Sequence, residues 1–285
     1  MTPGAAAWRR FRRHRPAVLG AGLAALVTVA TLAAPVLAPH GPTAILDPIA
    51  LQLRPPSPAH PLGTDALSRD VYSRVLHGAR VSLTVGVAAA ALATIVAGAV
   101  GLAAGLLGPR TDAALMRSVD VLLALPRLLV VMTAVALWES LPLAALVGLL
   151  GATGWFALSR LVRSRVRELA AADFVTAAVA LGADRLRLAR HLLPHVGATL
   201  VVGATLDVGN IILLEAGLSF LGLGVAPPTP TWGGMILEGR SLMFNAPWVA
   251  LGPGVALLLT VLAFNLVGDG LRDALDPRHR GAGLA

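Results

Sequence analysis

"TAAVALGADRLRLARHLLPH" (176–195) lies between two long apolar stretches, and its reading decides what kind of membrane protein this is. Small residues come first, then Gly182, then a segment carrying Arg185, Arg187 and Arg190. Asp173 is placed to cap a short helix over 174–181. Gly182 suits the left-handed position just past a helix end. Asp184 suits the start of a second helix, where its charge favours the positive end of the helix dipole. On that second helix Leu186, Leu188, Ala189, Leu192 and Leu193 share one broad apolar face, with Arg187, Arg190 and His191 opposite and Arg185 intruding on the apolar arc. Pro194 marks the boundary before the next apolar run. Two readings follow. Small side chains in front of a basic helix permit close docking into a groove on another protein. A basic amphipathic helix also lies well on anionic lipid.

The composition places the whole chain in a bilayer. Of 285 residues 56% are hydrophobic and 13% charged, against about 25% charged in soluble domains. All 23 basic residues are Arg, so a lysine-dependent phosphate loop and a lysine nucleophile are both excluded. The absence of Cys excludes disulfides, thiolate catalysis and thiolate metal sites. A net charge of +8 raises the question of nucleic acid, but aromatics make up only 4% and the arginines flank apolar runs. Positive-inside topology accounts for them, and no nucleic-acid partner is expected.

Six runs are long enough to cross about 30 Å of hydrocarbon: 17–38, 81–107, 113–138, 142–160, 196–216 and 248–268. The first follows "WRRFRRHRP" and has a signal peptide as its competing reading. Its length and the proline at 39 favour an uncleaved span. Arg9, Arg10, Arg12, Arg13 and Arg15 put the N-terminus in the cytoplasm, together with 161–195 and the tail bearing Arg272, Arg278 and Arg280. The chain divides into 1–80, with the N-terminus, first span and outer linker, and 81–285, a core of five spans. "PHGPTAILDPIALQLRPPSPAHPLGTD" (39–65) reads as an extended linker, and "SRDVYSRVLHGAR" (68–80) as an amphipathic helix at the outer interface. Gly101 and Gly105, and Gly148, Gly151 and Gly154, allow close helix packing in lipid. Trp232 and Trp248 fit an interfacial aromatic belt.

The stretch 176–195 resembles the cytoplasmic EAA loop of ABC-importer permease subunits. Ala177, Ala178, Gly182, Leu193 and Pro194 fall on that pattern. Thr176 stands where Glu is usual, and His195 where Asn is common. The first departure bears on an acidic contact to the ATPase and leaves the shape of the docking helix intact. The resemblance extends along the chain. "RFRRHRPAVLG" (10–20), "LGTDALSRDVYSRVLHGARVSL" (62–83), "LLEAGLSFLGLGVAPPTPTWGGM" (213–235) and "LTVLAFNLVGDGLRDALDPR" (259–278) are similar to dipeptide, oligopeptide and nickel permeases of the C type.

The resemblance implies an all-α membrane protein with six transmembrane helices and a cytoplasmic coupling helix, the type I importer fold, in a bacterial inner membrane with both termini cytoplasmic. It implies a second, B-type permease, two ATP-binding subunits and an extracytoplasmic substrate-binding protein as partners. Mg-ATP would belong to the ATP-binding subunits, with no cofactor in this chain. The coupling residues would be Asp173, Thr176, Ala177, Ala178, Gly182, Arg185, Arg187, Leu193 and Pro194. The lack of Lys agrees, since the chain cannot be its own phosphate-loop ATPase.

Ionisable residues inside spans are functional candidates by default. Arg127 beside Pro126 falls mid-way along the third span, and Asp207, one turn before Asn210, mid-way along the fifth. Either Arg127 and Asp207 line the path and meet the two charges of a zwitterionic peptide, or they form a structural pair. Pro126 is expected to kink its span. Glu215 is expected to bond nearby backbone. No His falls in an expected span, so a membrane-embedded Ser–His dyad lacks its base, and no catalytic residue is assigned. His40, His60 and His77 are scattered without ligand spacing and read as single surface histidines, so no metal site is assigned. That favours peptides over nickel as cargo. A stand-alone secondary transporter, the remaining alternative, would not need the loop.

Overall fold

The computed structural model describes residues 3–138 and 141–275; Arg278 and Arg280 of the basic tail lie outside the described residues. Every regular element among them is helical: α1 (Pro3–Arg13), α2 (Arg15–Leu32), α3 (Ala34–Leu37), α4 (Val71–Leu106), α5 (Pro109–Ala124), α6 (Arg127–Val135), α7 (Leu143–Ala152), α8 (Phe156–Ala170), α9 (Asp173–Ala180), α10 (Arg185–Phe220), α11 (Trp232–Gly239) and α12 (Trp248–Leu275). Four helices are long and apolar enough to cross a membrane: α2, α4, α10 and α12. Two bent helix pairs have the length and apolarity of a further span each: α5 and α6 meet at 78°, α7 and α8 at 44°.

The two longest helices correct two sequence expectations. α4 and α10 have 36 residues each. At about 1.5 Å per residue they exceed the ~30 Å of hydrocarbon. The segment 68–80 is therefore no separate interfacial helix. From Val71 onward it is the first part of α4, capped by Asp70, whose Oδ2 accepts from Ser73 N at 2.8 Å. Likewise Pro194 does not end a helix; it lies inside α10, capped by Asp184 through a 2.7 Å bond from Arg187 N. Proline removes one backbone bond and crowds the preceding turn. Here Leu188 and Leu192 before it and Val196 after it are all buried in one cluster with Leu158, Val162 and Val166 of α8. That anchorage on both sides carries the helix through.

α4 is the central post. A Cβ added at Gly101 would come within 2.6 Å of Val162 and 2.8 Å of the Ser159 carbonyl. Gly105 is equally tight against Val166. Helix α8 thus lies on α4 at a separation that only glycine allows. α10 packs along α4 in the opposite direction, with Gly86 against Ile212 near one end and Gly98 against Leu200 near the other. α2 lies against α12, where Gly20 faces Leu266 and Ala263. Of the glycines in α7 and the turn after it, Gly151 and Gly154 are packed, whereas Gly148 faces open space.

The segment before α4 is more structured than an extended linker. Leu53 N donates to Asp65 O at 3.2 Å, and Arg54 N to Thr64 Oγ1 at 2.9 Å. Leu53 and Leu62 pack on Val71, Met235 and Val249. Asp65, 2% exposed, accepts from Arg69 Nε at 2.7 Å and Arg74 Nη1 at 2.5 Å. Glu238 of α11 accepts from the same two arginines at 2.8 and 2.6 Å. Two carboxylates and two guanidiniums offset one another's charge, with only Arg74 Nε left without a hydrogen-bond partner among the described residues, which lets buried charge persist here. Trp232 is no belt residue: it is 1% exposed, its Nε1 donating to Val75 O at 3.0 Å. Trp248 is half-buried and donates to Thr64 O at 3.1 Å.

Candidate functional site

Helix α9 and the first turns of α10 form a hairpin at the end of the bundle where α4 finishes. Gly182 has φ +82°, the left-handed conformation in which a side chain is strained. Ala183 N closes the turn onto Ala178 O at 3.0 Å. Asp173 is not the cap of α9 but its first residue; Ala172 precedes it and makes no side-chain cap bond. The Asp173 charge still lies at the positive helix end.

The hairpin has an inner and an outer surface. Val175, Leu188 and Leu192 are buried against α8. Phe174, Val179, Leu181, Leu186 and Leu193 are exposed, Leu181 to 87%. The single apolar face expected for 186–193 is therefore split, with Leu188 and Leu192 inward and Leu186 and Leu193 outward. Thr176, Ala177, Arg185, Arg187 and Pro194 are exposed as well, and Ala178 is half-buried. His195 stacks on Phe174 with ring centres 5.2 Å apart, which ties α9 to α10 across the turn.

Helix α8 leads from this hairpin into the membrane. Near the hairpin, Arg163 pairs with Asp112 at the start of α5, and Arg167 reaches the same carboxylate at 3.5 Å. Arg160 pairs with Asp120 at 3.4 Å. At its other end α8 begins after the break at 153–155, and Arg127 occupies that break. Its Nη2 donates to Leu150 O at 2.8 Å, and its Nε to Thr153 Oγ1 at 3.4 Å. A cation thus sits on the Leu150 carbonyl near the end of α7, where the helix dipole is negative and lipid offers no donor. Gly154 makes room for it: a Cβ there would come 3.1 Å from Nη2. Arg127 itself opens α6, directly after Pro126, so one residue holds both broken spans together. Pro126 does more than kink its span, since the chain turns there by 78°.

Asp207 is half-buried on α10, shares a side-chain hydrogen bond with Asn210 and feels the charge of Arg127. No ion pair joins Asp207 to Arg127 among the described residues; the arginine is engaged by α7 instead. Asn210 is exposed. Glu215 is fully buried, and its partners are side chains rather than backbone: Ser219 Oγ donates at 2.7 Å and Ser82 Oγ at 3.0 Å. Sequence spacing hid the Arg127 site and the Asp112 cluster alike, because Leu150 lies 23 residues from Arg127 and Arg163 lies 51 from Asp112.

Comparison with known proteins agrees with this geometry. Residues 97–281 match the family model described as binding-protein-dependent transport system inner membrane component. Residues 2–56 match the N-terminal TM domain of oligopeptide transport permease C. A Brucella suis protein named as a peptide permease is 42% identical over 284 residues, covering 97% of this chain and 91% of its own. The glutathione transport system permease protein of Pectobacterium atrosepticum is 42% identical over 279 residues, covering 97% and 92%. Its Salmonella typhimurium counterpart is 42% identical over 284 residues, covering 98% and 92%. With two family models spanning most of its length and full-length relatives at this identity, the chain belongs to the binding-protein-dependent inner membrane transport components, as an ABC-importer permease of the oligopeptide C type.

Proposed function

We propose that this permease forms half of an uptake path for small peptides and that 173–194 receives the motion of separate ATP-binding subunits. The observation that carries the reading is the two-sided hairpin: an exposed apolar tip at Phe174, Val179, Leu181 and Leu186, braced from within by Val175, Leu188 and Leu192. Such a tip fits a groove on a protein partner. Force on it would pass along α8, clamped to α4 at Gly101 and Gly105, to the break that Arg127 holds. A B-type permease completes the path, and a substrate-binding protein delivers cargo at the opposite end. Both termini and the hairpin lie on the cytoplasmic side in this reading, as the arginine distribution requires. Peptide cargo follows the names of the relatives, which are peptide and glutathione permeases; nickel has no comparable support. Asp207 and Asn210 supply polarity to the path, while Arg127 serves as its brace.

The test is co-purification of the tagged chain from its native host, with Mg-ATP hydrolysis and peptide uptake measured on the isolated complex. A second permease and ATP-binding subunits are expected to accompany it. Gly182→Val strains the left-handed turn by about 1–2 kcal/mol and should release those subunits or uncouple hydrolysis from uptake. A chain that purifies alone and takes up cargo on an ion gradient would refute the reading.

A further inference from the structure

At the end of the bundle opposite α9, the fold gathers three groups that lie far apart in sequence. His40 follows α3, His60 comes 20 residues later, and Asp70 caps α4. One donor atom from each lies within 4.8 Å of the other two. It is the one such group of His, Cys, Asp and Glu found among the described residues. The sequence expectation of single surface histidines fails here: His60 is 7% and Asp70 1% exposed.

The partners of each group matter. Asp70 commits Oδ2 to Ser73, accepting from its N at 2.8 Å and its Oγ at 2.7 Å. Its Oδ1 faces His60 Nδ1 at 2.9 Å. This hydrogen bond between a buried imidazole and a buried carboxylate lies where a cation would sit. The third group is His40, whose ring stacks near that of His60 with centres 5.4 Å apart and planes 30° apart. His40 Nδ1 is buried without a hydrogen-bond partner among the described residues. An unpaired buried ring nitrogen is costly, and this one lies beside an imidazole and a carboxylate. Two imidazoles bound at about 2.0–2.1 Å to one tetrahedral ion hold their ring centres ~5 Å apart. The observed separation of 5.4 Å is close to that.

We propose that His40, His60 and Asp70 form a binding site for a divalent transition-metal ion, with zinc the best match. Two imidazoles and a carboxylate are a nitrogen–oxygen set that zinc accepts, leaving a fourth position for water. Binding replaces the hydrogen bond between His60 Nδ1 and Asp70 Oδ1. The ion pins both ends of the 40–60 segment to the start of α4 and so stiffens the face opposite the coupling hairpin. His77 is not a donor through Nδ1, which is bonded to Ser73 O at 2.9 Å. The site is independent of cargo: it lies in the outer layer of the fold, not in the path proposed above.

The experiment uses the complete complex, stripped with a chelator and titrated with zinc alone against a chromophoric competitor, with metal content measured after gel filtration. His40→Ala is the key variant, because His40 contributes no side-chain hydrogen bond through Nδ1 and its loss leaves the Asp70 cap in place; His77→Ala is the control. Wild type and His77→Ala should bind one more equivalent per permease than His40→Ala, whose affinity falls at least about tenfold. Chelator should lower the melting temperature of wild type and leave that of His40→Ala unmoved. Zinc binding that is equal in wild type and His40→Ala, or absent from both, would overturn the proposal. Failure of peptide uptake with the zinc difference intact would count against the transport reading alone.

Discussion

Arg127 shows how a single charge earns its place in a membrane. It is held by one carbonyl near the end of α7, Leu150 O at 2.8 Å, and by Thr153, not by Asp207. A hydrogen bond to a charged group contributes about 1.5–3 kcal/mol. Arg127→Ala is therefore expected to lower the melting temperature of the complex and its uptake together, and Arg127→Lys to recover part of both. Asp207→Asn should leave melting unchanged and reduce uptake, measured in proteoliposomes; unchanged uptake would remove Asp207 from the path. Residue types and depth were legible in the sequence, since Arg127 and Asp207 stand out in apolar runs. Their partners were not, because a backbone carbonyl has no sequence signature. The same limit explains Glu215 and Trp232: both lie in a motif visible in the sequence, yet Glu215 also accepts from Ser82 and Trp232 donates to Val75, both on another helix.

Among elements, the α4–α8 contact bears the most on mechanism. Gly101 meets Val162 and Ser159 at distances no side chain tolerates. Overpacking of this kind costs about 1–3 kcal/mol. Gly101→Val should therefore lower the thermal midpoint in detergent and weaken uptake, whereas Gly148→Ala, facing open space, should change neither. Equal effects from the two substitutions would show that α8 does not rest on α4 as described. Hydropathy located the four unbroken spans and both bent pairs, because apolar runs of that length have few other uses. It did not reveal the break at 153–155, which contains no proline and interrupts no apolar run. Nor did it separate Pro126, where a span breaks, from Pro194, where a helix continues. The difference lies in tertiary anchorage: Leu192 and Val196 grip α8 on either side of Pro194, while Arg127 satisfies the broken backbone across from Pro126.

The whole molecule is a post with a handle at one end and a clamp at the other. The handle is the α9–α10 hairpin. The clamp joins Asp65, Arg69 and Arg74 to Glu238 and so ties the loop before α4 to α11. Asp65→Asn leaves buried guanidiniums short of a counter-charge, a loss of about 3–5 kcal/mol. Melting should fall by that measure with little relief from added salt, since buried pairs are poorly screened. ATPase subunits should still co-purify, because distant sites act independently. Loss of those subunits would mean the two ends are coupled through the post. The general plan of apolar spans and one basic hairpin was readable from apolar length and the run of arginines. The clamp was hidden because its members are split between 65–74 and 238.

The two broken spans bear on how the chain enters the bilayer. α6 has nine residues and α7 ten, each about half the length needed at ~1.5 Å per residue to cross ~30 Å. Neither can be handed to lipid alone during synthesis, since the open ends between the pieces would face hydrocarbon. Arg127 must find Leu150, which emerges from the ribosome 23 residues later. The bond that closes the break can therefore form only once α7 has been made.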